Sequence, residues 1–168
     1  MSSVTVRELE LEAFQPYGTF VKMADNPRIL DMAPRPVIFR PDMLQMQLGD
    51  STTASFSICR VEPREFVITG GEYHDHAMEG ILPLDSDILI HVAPPTHPRM
   101  GIPVDSFEVF RVPVGTMVVL RPGAWHGAPY AAGDSPANVL VVLPVRTYAI
   151  DSVSVRLEPD QQIPIVGA

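Results

Sequence analysis

The sequence is poor in cysteine, in positive charge and in long apolar runs. Its single cysteine, Cys59, cannot form an intrachain disulfide, so a reducing compartment is expected. With 12 Lys and Arg against 20 Asp and Glu, the net charge is -8, which argues against a nucleic-acid partner because phosphate backbones need a basic surface. No apolar run approaches the roughly 18 residues of a membrane span, and the N-terminus lacks the layout of a secretory signal. These absences predict a soluble cytoplasmic protein without a membrane partner.

Proline, in contrast, is abundant, with 18 residues, and proline opposes long helices. One short helix is predicted over 8–14, ahead of Pro16 and Gly18. Short strands are predicted at 55–61, 66–69, 87–93, 107–112, 116–120, 138–143 and 152–157. Strands at this spacing, separated by Gly/Pro turns, are typical of a β-sandwich or barrel. We therefore expect a single all-β domain over 1–168, a jelly-roll barrel that holds a ligand between its sheets. Two stretches, 24–36 and 94–106, look like irregular excursions over a barrel mouth or a dimer contact.

The densest group of metal-ligating residue types lies between positions 72 and 79. His74 and His76 are two apart, so on a strand they face the same side, and His126 follows in a Pro-Gly-Ala-Trp-His segment. Either Glu72 or Glu79 could add a carboxylate; Glu79 is favoured, although its opposite parity requires a bulge or turn. Three imidazoles and a carboxylate suit one divalent transition metal such as Zn, Ni, Mn, Fe or Co. The arrangement resembles the two signature motifs of the cupin barrel.

Simpler interpretations compete with each functional one. A His-x-His pair on an exposed strand can arise by chance, but an acidic neighbour and a spaced partner motif favour a metal site. His91 lies in an apolar strand and is predicted to be a core histidine, whereas His97 is predicted to lie on the surface. Cys59 has no Cys-x-x-Cys partner and is interpreted as structural.

Several short segments, in chain order over about 10–148, resemble the ureidoglycolate lyase family of the cupin superfamily. They are Leu11–Gly18, Ser57–Pro63, Glu72–His74, Leu82–Leu84 and Ala124–His126. The resemblance implies cleavage of ureidoglycolate to glyoxylate and urea, a step of allantoin and purine catabolism. It also implies an enzyme of the carbon–nitrogen lyase class.

Roles for single residues follow from that resemblance. The metal would be held by His74, His76, Glu79 and His126, and would acidify the substrate hydroxyl. Glu72 is the expected general base and Tyr73 a possible acid. Arg60, at the family's arginine position, is expected to bind the substrate carboxylate, with Arg146 as a lesser candidate. By analogy with cupins, a homodimer is expected.

Departures from the family pattern keep other functions open. The family has Arg, Pro and Gln where this chain has Tyr73, Asp75 and Glu79, and it lacks His76. A fuller metal motif favours a cupin isomerase, epimerase or lyase acting on a sugar acid or another small carboxylate. A non-catalytic cupin that binds a metabolite is a third possibility, and an Fe(II) dioxygenase is a fourth. Fold alone decides none of these.

Overall fold

A computed structural model describes residues 3–23, 36–97 and 99–168. Within these residues the chain forms fourteen short strands, two four-residue helices and a 3-10 turn at Val104–Ser106. The helices are α1 (Leu11–Phe14) and α2 (Thr147–Ile150). The strands are β1 (Val4–Glu8), β2 (Gly18–Lys22), β3 (Ala54–Val61), β4 (Val67–Ile68), β5 (Gly70–Tyr73), β6 (Glu79–Pro83), β7 (Ile88–Ala93), β8 (Glu108–Val112), β9 (Thr116–Leu120), β10 (Trp125–His126), β11 (Tyr130–Ala131), β12 (Ala137–Pro144), β13 (Val153–Arg156) and β14 (Ile163–Val166).

The strands of the described residues form two sheets. The larger sheet has the order β13-β5-β10-β7-β8-β1-β14-β4, with β11 also paired to β7, and the smaller has the order β2-β9-β6-β12-β3. Neighbours in each sheet are mostly distant in sequence, as they are in a jelly roll. The predicted all-β jelly-roll barrel is confirmed.

Alternation along the strands divides the core into two layers. On β7, Ile88, Ile90 and Val92 belong to a cluster that also contains Ile81 and Val118 of the smaller sheet, so this cluster fills the space between the sheets. Leu89 and Ala93, of opposite parity, belong to a second cluster on the other face of the larger sheet. Successive strand side chains point to opposite faces, so each β7 residue is assigned to one layer. The space between the sheets is the barrel interior.

The predicted helix is wrong at its beginning. Only residues 11–14 are helical, whereas Glu8 ends β1, which pairs in parallel with β8 through Val6↔Val109 and Glu8↔Arg111. Strand pairing with β8 therefore keeps Glu8, the first residue of the predicted helix, in an extended conformation. Phe14, fully buried, anchors the remaining turn.

The two predicted excursions have different outcomes. Most of 24–36 lies outside the described residues. In 94–106 the described residues are irregular apart from the 3-10 turn. No helix in the described residues has the length and apolar character needed to cross a membrane.

Candidate metal centre

Two histidines and one glutamate meet inside the barrel. His126 comes from β10 of the larger sheet, Glu79 begins β6 of the smaller sheet, and His74 directly follows β5. Glu79 Oε2 lies 3.0 Å from Nε2 of His74 and 3.0 Å from Nε2 of His126. All three residues are buried, with 5%, 9% and 3% of the surface of His74, Glu79 and His126 exposed. The site thus joins the two sheets through a single carboxylate oxygen.

Hydrogen bonds on the far side of each ring fix which nitrogen faces the cluster. His74 Nδ1 lies 2.6 Å from the backbone carbonyl of Asp151, and His126 Nδ1 lies 2.9 Å from that of Ala124. A carbonyl only accepts, so both Nδ1 atoms carry a proton and donate it. In the neutral ring each Nε2 then presents its lone pair towards Glu79. Metal-binding histidines are held in the same way.

When protons and no metal are bound, the charges of the three residues make the cluster an ion pair. Burial by itself raises the pKa of Glu79, but the charges and hydrogen bonds of His126 and His74 outweigh burial and lower it to about 2. Burial opposes charge on both rings as well, yet their bonds to Glu79 and its charge raise the pKa of His74 and of His126. The carboxylate therefore stays ionised and attracts positive charge into the barrel.

His76 does not reach this cluster. Its side chain is 74% exposed, and Nδ1 lies 3.2 Å from the carboxylate of Asp151. The prediction that His74 and His76 face one side assumed a continuous strand, but β5 ends at Tyr73 and the chain bends at 75–76. The Asp151 carboxylate also accepts the backbone N–H groups of Asp75 and His76, which holds that bend.

The two predicted catalytic residues lie on opposite faces of β5. Glu72 pairs with His126 across the ladder, so its side chain shares the face of His126, and its carboxylate accepts hydroxyls from Ser152 and Ser154 at 3.1 and 3.3 Å. The ring of Tyr73 packs edge-on against Trp125, with centroids 4.7 Å apart, in the second core layer. The structure places Glu72 beside the cluster and turns Tyr73 away from it.

Neither predicted carboxylate-binding arginine approaches the cluster. On β3, Cys59 packs against the core and Val61 is buried, so Arg60 points outward; its side chain is 56% exposed and pairs with Glu62 at 2.8 Å. Arg146 is exposed just before α2, in a left-handed backbone conformation with φ 67. Both side chains therefore lie on the surface of the described structure.

A cavity of about 670 Å³ is lined in part by His91, which faces the second core layer. Gly127 and Ala128, which directly follow His126, line it together with Glu72 of β5. Arg64, from the loop between β3 and β4, lies at its rim. His74, Glu79 and His126 do not line this cavity; Glu72, which shares the face of His126, connects the two.

The sequence relationship follows from a family comparison. Residues 1–163 match the family model described as ureidoglycolate lyase. The chain belongs to this family. The resemblance seen in the short motifs is thereby confirmed, and so is the expectation that the chain belongs to a family of lyases. Comparison with curated proteins gives no significant match.

Solved structures similar to this member of the ureidoglycolate lyase family include the oxalate decarboxylase of Bacillus subtilis. One of them comes from work on the Mn(II) centres of that enzyme and is 17% identical to this chain, with a TM-score of 0.45. The match covers 61% of this chain and 24% of that chain. A deletion variant of the same enzyme is 16% identical, has a TM-score of 0.42, and the match covers 62% and 24%. This chain thus matches about a quarter of the length of those proteins, and so distant a likeness does not bear on activity.

The donor set of the cluster fits a divalent metal. Two imidazole nitrogens and one carboxylate oxygen, all within 4.8 Å of one another, are buried together. Donors that bind one ion at about 2.1 Å with right angles between the bonds lie about 3 Å apart, as Glu79 Oε2 does from both Nε2 atoms. Two histidines and a carboxylate are typical ligands of divalent first-row metals, and three ligands leave coordination positions open for a substrate.

Sequence reasoning missed two residues that shape the site. Asp151 holds the bend after His74 through its carboxylate and fixes that ring through its carbonyl. Arg64 lies at the cavity rim and contacts a turn more than sixty residues away. No local motif identifies either residue, because both act through long-range contacts.

Proposed function

We propose that this protein cleaves ureidoglycolate to glyoxylate and urea, using a divalent metal held by His74, Glu79 and His126. The observation that carries the proposal is the convergence of these three donors, with Glu72 on the face of His126, in a member of the ureidoglycolate lyase family. The reaction breaks the bond between the substrate carbon and the urea nitrogen. It moves one proton from the hydroxyl to that nitrogen, so no further reactant is needed.

Glu72 is the side chain placed to move that proton. It shares the face of His126, lines the cavity and is oriented by the hydroxyls of Ser152 and Ser154. Its carboxylate takes the proton of the substrate hydroxyl and returns it to the departing nitrogen, a general base that becomes a general acid. Because Tyr73 packs on the opposite face, we assign it no proton transfer.

The buried cluster supplies the electrostatic part of the reaction. A divalent metal bound there supplies Lewis-acid chemistry, polarising substrate oxygens and making a hydroxyl more acidic. Glu79 and the two Nδ1 hydrogen bonds orient the ligands before a substrate arrives. The metal identity within Zn, Ni, Mn and Fe, a homodimeric assembly, a single domain over 1–168 and a cytoplasmic location stay predictions.

Another small hydroxy acid or sugar acid is the second candidate substrate class. The observation that favours it is Glu79, a charged ligand where the family has glutamine. His76 and Asp75, the neighbouring departures, lie outside the cluster and give it no support. Only one of these departures therefore touches the candidate centre.

The test is product release by purified protein loaded separately with Zn, Ni, Mn or Fe(II). Equimolar glyoxylate and urea from ureidoglycolate, lost with a chelator and restored by metal, is the expected result. Full activity in the presence of chelator would reject the metal, and no release with any of the four metals would reject the lyase function. Turnover of glycerate or a sugar acid in its place would select the second candidate.

A further inference from the structure

The cavity beside His126 carries charge of both signs. Arg64 and Arg156 contribute positive charge, and Glu65 and Glu72 contribute negative charge. At about 670 Å³ the cavity exceeds what a molecule of a few heavy atoms requires. Because the charges are mixed, its ligand needs both an anionic group and hydrogen-bond donors.

Arg64 is held in place before any ligand binds. Its Nη2 donates to the carbonyls of Ala128 and Pro129 at 2.8 and 2.9 Å, and its guanidinium carbon lies 4.2 Å from the ring centroid of Tyr130. These contacts use one terminal nitrogen of a group that carries five N–H donors. Both two-bonded faces of the guanidinium include Nη2, so the donors left on Nε and Nη1 bind a carboxylate through single charge-assisted hydrogen bonds.

The turn that holds Arg64 is continuous with the metal centre. Ala128 and Pro129 lie two and three residues after His126, and Glu72 pairs directly with His126. The same short stretch of chain therefore carries His126 and the two carbonyls that hold Arg64. Glu72 lines the cavity with Arg64 and shares the face of His126, so it is the side chain common to both sites.

We propose that Arg64 binds the carboxylate of a small hydroxy acid in this cavity, while Glu72 faces its N–H or O–H donors. As an account of substrate binding it rests on the proposed function, because ureidoglycolate carries a carboxylate, a hydroxyl and ureido N–H groups. The assignment replaces Arg60, whose side chain points outward and pairs with Glu62.

Arg60 provides a matched control for Arg64. Both are arginines of the same part of the chain, four residues apart, and only Arg64 lines the cavity. Glycolate and glycolamide provide matched probes, because they differ only in carboxylate against neutral amide. Binding of each to the full chain is measured by NMR titration, which requires no turnover.

Arg64→Ala is expected to weaken glycolate binding about tenfold, the effect of losing charge-assisted hydrogen bonds, and to leave glycolamide binding unchanged. Arg64→Lys, which keeps the charge and loses the guanidinium N–H groups and their contacts with Ala128 and Pro129, is expected to fall between Arg64→Ala and the unmodified protein. With ureidoglycolate, KM should rise by a similar factor while kcat changes little. Unchanged glycolamide binding shows that the cavity itself is intact in the variant.

Several results would overturn the assignment. They are equal glycolate binding by Arg64→Ala and the unmodified protein, no glycolate binding by the unmodified protein, or an equal loss in Arg60→Ala. Loss of glycolate binding that depends on Arg64, in a protein that does not turn over ureidoglycolate, would reject the lyase function and keep the carboxylate site. The two proposals therefore fail separately.

Discussion

Two parts of the larger sheet bury histidines to the same extent and give them opposite electrostatic character. His126, facing the barrel interior, and His91, facing the second core layer, are each 3% exposed. Glu79 raises the pKa of His126 against the effect of burial. Among the described residues, His91 hydrogen-bonds the carbonyl of Gly70, and burial lowers its pKa to about 4. Burial alone therefore lowers the pKa of a histidine, and a buried carboxylate partner reverses that shift.

The strongest way to break this contrast is to remove the carboxylate with Glu79→Gln. The substitution leaves His74 and His126 with a neutral partner, as His91 has, so the pKa of both rings should fall. Loss of an anionic ligand and of Lewis-acid stabilisation worth several kcal/mol should lower kcat/KM about a thousandfold or more. Metal content and ureidoglycolate turnover are measured together, with Glu62→Gln as a surface control. Normal metal content in Glu79→Gln would show that metal binding does not depend on the charge of the carboxylate.

The second test of this contrast concerns the lowered pKa of His91. Its folded pKa of about 4 lies below the ordinary 6.5, so between these values the unfolded chain binds a proton that the folded chain does not. Stability is therefore present above about pH 6.5 and is lost as pH falls towards 4, by about 3 kcal/mol in total. Urea unfolding of the wild type and of His91→Gln over pH 4–7 measures the difference, in which the other titrations cancel. Parallel curves for the two proteins would contradict the lowered pKa.

A smaller effect is expected at Asp151, whose carboxylate holds the bend that separates His74 from His76. Asp151→Ala removes the acceptor of two backbone N–H groups and keeps the carbonyl that binds His74 Nδ1. Looser support of a ligand lowers metal affinity by about tenfold. Metal titration of Asp151→Ala beside Asp75→Ala, an exposed carboxylate on the same bend, tests this. Equal affinities in the two variants would remove Asp151 from the site.

Sequence was informative where chemistry is local. The Gly/Pro-separated strands predicted the all-β fold, and strand 116–120 agrees with β9 to the residue. Residue type and motif spacing identified His74, Glu79 and His126, the three residues that meet. The concern about the parity of Glu79 disappears in the structure, because Glu79 begins a strand of the other sheet.

Sequence was misleading where the direction of a side chain depends on where a strand ends or on which face of a strand is exposed. The two-residue spacing of His74 and His76 indicates one face only if the strand continues, and β5 ends at Tyr73. On β3 the exposed residues include apolar Phe56 and Ile58, which hides the fact that Arg60 shares their outward face. Arg64 depends on contacts with residues more than sixty positions away, which no local pattern contains.

The most direct test of the central claim compares two histidines that the sequence predicts as ligands of the same metal. His126→Ala removes a buried donor of the cluster, whereas His76→Ala removes an exposed side chain. Metal per chain, measured by mass spectrometry after loading and extensive dialysis, should be close to one in the wild type and in His76→Ala. It should be close to zero in His126→Ala. Full metal content in His126→Ala, or loss in His76→Ala equal to that in His126→Ala, would contradict the three-residue centre.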